Sequence, residues 1–154
     1  MIIQGFSNIA SAYSANTKSA VERQTSPAPA ANYADKVSHI IEQGGLPIGL
    51  GGGHAIAYGS FLGLWQALQP TDITNAANAT DALPRIGIIN FDAHLDIRQS
   101  DVATSGTPFR QIAEHLDEHG QPFHYCCIGV SRFSNTAALF DRAEQLGVHI
   151  ISDE

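Results

Sequence analysis

Asp92, His94 and Asp96 alternate with Ala93 and Leu95, directly after the apolar run Ile86 to Phe91. In an extended chain, residues two apart point the same way. Two carboxylates and an imidazole then converge at one strand end. Carboxylates crowded together are costly to desolvate unless a positive charge joins them. A divalent cation meets that need. Oxygen and imidazole donors without thiolate suit Mn²⁺, Zn²⁺ or Fe²⁺ better than a sulfur-rich structural site. The plainer reading, a solvated strand end with a capping aspartate, does not account for the strict alternation.

A second segment, Gly49-Leu50-Gly51-Gly52-Gly53-His54, also ends in a possible ligand. A dinucleotide loop needs a third glycine where His54 stands, and a phosphate loop needs Lys then Ser or Thr where Ala55-Ile56 stand. Neither fits. A glycine turn that delivers one histidine to a strand's carboxyl end fits a metal ligand. A place at a helix amino terminus is expected to disfavour the protonated ring and free its lone pair.

These residues need a scaffold. Tyr33, Val37, Ile40 and Ile41 have helical spacing, stopped by Gly44-Gly45. Leu46 to Leu50 reads as a short buried strand, Ala55 to Leu68 as a helix, and Thr71 to Asp81 as a polar loop. Ile86 to Phe91 is the clearest strand. A helix is expected from Thr107-Pro108 to about His119, a strand over Tyr125 to Val130, a helix over Asn135 to Leu146, and a strand from Val148 to Ile151. Such alternation predicts an α/β fold: a mainly parallel sheet in a three-layer α/β/α arrangement, incomplete here. Ligands of such sheets bind at the carboxyl ends of the strands. Residues 1–32 are rich in Ala, Ser, Asn and Thr, with a loop signal at Ser26-Pro27-Ala28-Pro29. They read as an irregular amino-terminal segment, open to disorder, before a domain over 33–154.

Bulk properties narrow the partners. The 154 residues are 44 % hydrophobic and 15 % charged, a folded composition. A net charge of −7, from 8 basic and 15 acidic residues, argues against nucleic acid or an anionic membrane. No apolar run is long enough to cross a bilayer, and Met1 to Gly5 shows no signal peptide. The cysteines, Cys126 and Cys127, are adjacent, which suggests reduced thiols in a strand and a cytoplasmic protein.

A glycine turn ending in His54, followed later by Asp92-Ala93-His94-Leu95-Asp96, resembles the arginase family of ureohydrolases. The resemblance implies an α/β/α fold, a homo-oligomer and two Mn²⁺ ions. It implies that His54 and Asp96 hold one ion, that Asp92 bridges, and that His94 holds the second. Three further stretches, Leu46 to His54, Ser105 to Ile112 and Cys127 to Thr136, resemble the branch that splits N-formimidoyl-L-glutamate into glutamate and formamide in histidine degradation. Other branches act on agmatine, guanidinobutyrate or arginine. The family's third metal motif, Ser-x-Asp-x-Asp, is absent from these 154 residues, whose last three are Ser152-Asp153-Glu154. The expectation is a piece of a longer enzyme, with an inactive α/β module as the rival reading.

The implied chemistry is attack of a metal-activated hydroxide on the formimidoyl carbon. Asp92 and Asp96 are then catalytic as well as ligating. Leaving-group protonation needs a donor: Asp96, or less readily His115, His119 or His124. The substrate's two carboxylates call for basic or hydroxyl partners. Arg98, Ser105 and Thr107 are the candidates, with a surface salt bridge an equal alternative for Arg98. Arg132 is expected in a structural or subunit contact, and Arg110 exposed on its helix.

Overall fold

The computed structural model describes residues 27–69 and 85–154. Seven elements follow one another: α1 (Pro27–Glu42), α2 (Ile56–Ala67), β1 (Gly87–Phe91), α3 (Pro108–Glu118), β2 (His124–Val130), α4 (Ala137–Gln145) and β3 (His149–Ser152). The strands form one parallel sheet in the order β1-β2-β3. Parallel neighbours need a crossover between them, and α3 and α4 are those crossovers.

The apolar periodicity explains α3 well. Phe109, Ile112, Ala113 and Leu116 are buried and share one face. Pro108 occupies the first turn, where a missing N–H costs nothing. In β2 alternate residues Tyr125 and Cys127 are buried, as a strand with one covered face requires. Together with Phe61, Trp65, Ile86, Leu95, Ile97, Val130 and Ala143 they form the core. Helices α1 and α2 cross closely where Gly63 lies against Ala34 and Val37. Among the described residues, no helix is long and apolar enough to cross a membrane.

Two expectations are corrected. Leu46 to Leu50 is not a strand, and Leu46 and Ile48 are exposed. An apolar run becomes a strand only where another strand accepts its hydrogen bonds. Among the described residues this segment has no such neighbour, so the observed order begins ααβ rather than αβα. The first helix also begins at Pro27, not Tyr33. The described part of that signal, Pro27 to Pro29, opens a helix rather than a loop, because the first backbone N–H groups of a helix have no acceptor and tolerate proline. The boundary drawn at residue 32 therefore falls inside α1. Residues 1–26 and the loop expected over Thr71 to Asp81 lie outside the described residues.

Candidate metal centre

Gly51 and Gly52 both adopt left-handed backbone, with φ of 90° and 87°. Residues with a Cβ avoid that region. The two glycines turn the chain sharply into α2, and His54 stands at its start, its carbonyl accepting from the Ala57 N–H at 3.0 Å. Edge-on contact with Phe109, centroids 5.3 Å apart, fixes the ring from the α3 side.

Across from His54, β1 ends at Phe91 and the chain does not stay extended. It bends at Ala93–His94. The Asp92 carboxylate accepts from the His94 backbone N–H at 2.9 Å. Asp96 has φ of +47°, a region that aspartate tolerates better than most residues. Its side chain folds back toward His54 Nδ1, with Oδ2 at 2.6 Å. Asp92 Oδ2 lies 3.2 Å from the same nitrogen. One donor atom each from His54, Asp92 and Asp96 lies within 4.8 Å of the others. His94 stands on the other side: its Nδ1 is 3.2 Å from Asp92 Oδ1, and its side chain is 58 % exposed. The expected projection of Asp92, His94 and Asp96 to one side is thus replaced by a divided arrangement. Asp92 presents one oxygen to His54 and the other to His94.

The electrostatics correct a second expectation. The hydrogen bond to Asp96 holds the His54 imidazole above its ordinary pKa, against the opposing effect of burial, and the charges of Asp96 and Asp92 reinforce it. The two carboxylates thus act against the effect expected of the helix terminus, and a cation placed among them would balance the same charges. The donor set is oxygen and imidazole, with no thiolate among the clustered atoms, and it fits a hard or borderline divalent ion.

Beneath the cluster, Tyr125 donates from its hydroxyl to the Leu95 carbonyl at 3.2 Å and accepts from Asn90 at 3.1 Å. The Cys127 thiol points at the carbonyls of Asp92 and His94. Burial pushes both the Tyr125 hydroxyl and the Cys127 thiol up, which keeps them protonated as donors. Asn135 reaches the same segment from the loop after β2. From the sequence, none of these residues has a role at the site, and Cys127 reads only as a reduced thiol in a strand. Asn135 lies in the Cys127 to Thr136 stretch, but its partners are about 40 residues away along the chain, and single-sequence periodicity carries no such pairing.

The remaining candidates separate. Arg98 is exposed beside Gly106, whose carbonyl accepts from its backbone N–H at 3.0 Å. Ser105 is half-buried in the same loop. Thr107 is fully buried, and its hydroxyl is taken up by Thr104 and Gln111. It shapes the loop and leaves no free group for a substrate. Arg110 is mostly buried and paired with Glu114, contrary to the expected exposure. Arg132 is exposed after β2. His124 contacts Arg85 at the amino-terminal end of β2, opposite the cluster. His115 and His119 stack on each other and pack edge-on against Trp65. A groove of about 780 Å³ runs between α2 and β1 with His54 and Asp92 on its wall. Among the described residues its lining is largely apolar and includes no Lys or Arg.

A parallel α/β sheet carries a glycine turn, a histidine and a bent Asp-Ala-His-Leu-Asp segment at its carboxyl end, an arrangement compatible with a metal site, and one family model matches the chain. The chain belongs to the arginase family, whose family model covers residues 6–154. Among curated relatives, it is 91 % identical over 123 residues to the formimidoylglutamase of Psychrobacter cryohalolentis, covering 80 % of this chain and 35 % of that protein. It is 49 % identical over 123 residues to the formimidoylglutamase of Paraburkholderia xenovorans, covering 80 % and 38 %. Among solved structures, a manganese-containing variant of Trypanosoma cruzi formiminoglutamase superposes with a TM-score of 0.62 at 23 % identity, covering 88 % of this chain and 40 % of that one. The chain thus spans a little over a third of the length of the curated relatives it matches.

Proposed function

We propose that these residues form part of a two-manganese hydrolase that converts N-formimidoyl-L-glutamate and water into L-glutamate and formamide. The divided carboxylate of Asp92 carries this reading, since its two oxygens face two different histidines. His54, Asp92 and Asp96 would hold one ion, and Asp92 with His94 would hold the second. Two bound ions supply a water of lowered pKa and polarise the substrate's electrophilic carbon. The identity to two formimidoylglutamases supports the substrate.

The residues' own tasks follow from their positions. Asp96 is within reach of His54 and mostly buried, with its side chain 15 % exposed, so it can take the proton released by the water and return it to the departing glutamate nitrogen. The water oxygen becomes the formamide oxygen, and the bond from the formimidoyl carbon to the glutamate nitrogen breaks. Arg98 and Ser105 lie on the loop that follows Asp96, where they can hold substrate carboxylates. His115, His119 and His124 take no part, because aromatic packing or the opposite sheet end holds them.

The test supplies the manganese-loaded protein containing these residues with formimidoylglutamate, agmatine and guanidinobutyrate in parallel. Glutamate and formamide in equal amounts are expected from the first. Urea from the guanidino compounds alone overturns the substrate assignment. Absence of both products, with no manganese retained, favours an inactive module.

A further inference from the structure

The geometry points to Asn135 as the positioning residue that holds the bend between the ligands, a role that rests on reading Asp92, His94 and Asp96 as ligands. The bend is a requirement. In an extended strand, residues four apart are separated by roughly 13 Å, too far to share an ion. Here the donor atoms of Asp92 and Asp96 lie within 4.8 Å. Something must hold the chain out of its extended path.

The Asn135 amide does so from both sides. Its Oδ1 accepts from the Leu95 N–H at 3.0 Å, between His94 and Asp96. Its Nδ2 donates to the Ala93 carbonyl at 2.8 Å, between Asp92 and His94. The second Nδ2 hydrogen goes to the Ser131 carbonyl at 2.8 Å, tying Asn135 to the end of β2. The Ser131 N–H also donates to the Ala93 carbonyl, at 3.1 Å. Both amide hydrogens and the amide oxygen are therefore engaged, and two of the three contacts fall on the peptide groups between successive ligands. Leu95, fully buried, anchors the same segment from below.

Groups that orient metal ligands typically change metal affinity about 10–100-fold when replaced. Asn135→Leu keeps the approximate size and removes all three bonds. Free Mn²⁺ is measured by its paramagnetic resonance during titration, with circular dichroism to confirm folding. The expected result is a dissociation constant raised about 10–100-fold in a folded protein. Amide hydrogen exchange adds a readout that general destabilisation does not mimic. In the metal-free wild type the Leu95 amide is slow, and in Asn135→Leu it becomes fast while the Ile112 amide in α3 keeps its protection. Wild-type manganese affinity in a folded Asn135→Leu protein overturns the inference. So does a Leu95 amide that exchanges as freely as a peptide in the wild type, a measurement that decides the matter even if the variant does not fold. If the wild type takes up no manganese, the ligand reading fails, and the Leu95 amide still tells separately whether the clamp exists.

Discussion

Tyr125→Phe isolates one atom under the candidate metal centre. Tyr125 is 3 % exposed, and its ring stacks on Phe109 at a centroid distance of 4.3 Å. Phe109 in turn meets His54. Phenylalanine preserves that stack and deletes only the hydroxyl. The deletion leaves the buried Leu95 carbonyl without its donor and Asn90 without one acceptor. A buried group stripped of its partner costs about 1–3 kcal/mol. The lost hydroxyl no longer needs to be desolvated, which favours the lower part, about 1–2 kcal/mol. For a chain of this length each kcal/mol moves the melting midpoint by about 2–4 °C, so a fall of roughly 2–8 °C is expected. The substitution also has a pH signature. Burial holds the folded hydroxyl's pKa above its ordinary value of 10.0. The group's contribution is therefore complete below that value and declines as pH rises above it, because the unfolded chain ionises first. The decline approaches about 1.4 kcal/mol per pH unit. Tyr125→Phe should flatten this alkaline limb. Urea unfolding of both proteins across the alkaline range measures midpoint and slope together. An unchanged midpoint with an unchanged alkaline slope refutes the hydrogen-bond network beneath Leu95.

Asp92→Asn removes the charge shared between His54 and His94, and should lower manganese bound per chain far more than Arg98→Ala, as elemental analysis of the loaded proteins will show. Equal occupancy in both variants removes Asp92 from the ligand set. Gly63→Ala places a Cβ 2.5 Å from the Val37 Cβ. Such overpacking costs about 1–3 kcal/mol, against roughly 1 kcal/mol of helix propensity gained. A lower melting midpoint is expected, and a higher one contradicts the close α1–α2 crossing. Burial, and then the charge of His119, hold the His115 pKa below 6.5, with Glu118 opposing. The fold resists a proton that the unfolded chain accepts, so stability falls as pH drops below 6.5. Fluorescence of Trp65, the sole tryptophan, follows unfolding. The His115→Phe protein should show a shallower acid decline, and identical declines refute the assignment.

The sequence disclosed donor types more readily than donor directions. Asp92, His94, Asp96 and His54 stood out because carboxylates and imidazoles at strand ends demand a cation. The elements were legible where one segment carried its own signals: Thr107-Pro108 opening α3, or the apolar run Tyr125 to Val130 of β2. Leu46 to Leu50 failed because strand identity depends on a neighbour that an apolar run does not name. The rule of two-residue alternation failed for the ligands for a related reason. It assumes that β1 continues past Phe91, whereas the Ala93–His94 peptide groups are bonded by Asn135 and Ser131 after β2. Those contacts come from a different strand's loop, and they send His94 to the opposite side of Asp92 from His54. The same division lets one carboxylate face two histidines, an option that three side chains aligned on one strand face would not provide. The arrangement belongs to the β1–β2 pair, because the contacts that bend the Asp-Ala-His-Leu-Asp segment come from Ser131 and Asn135 after β2.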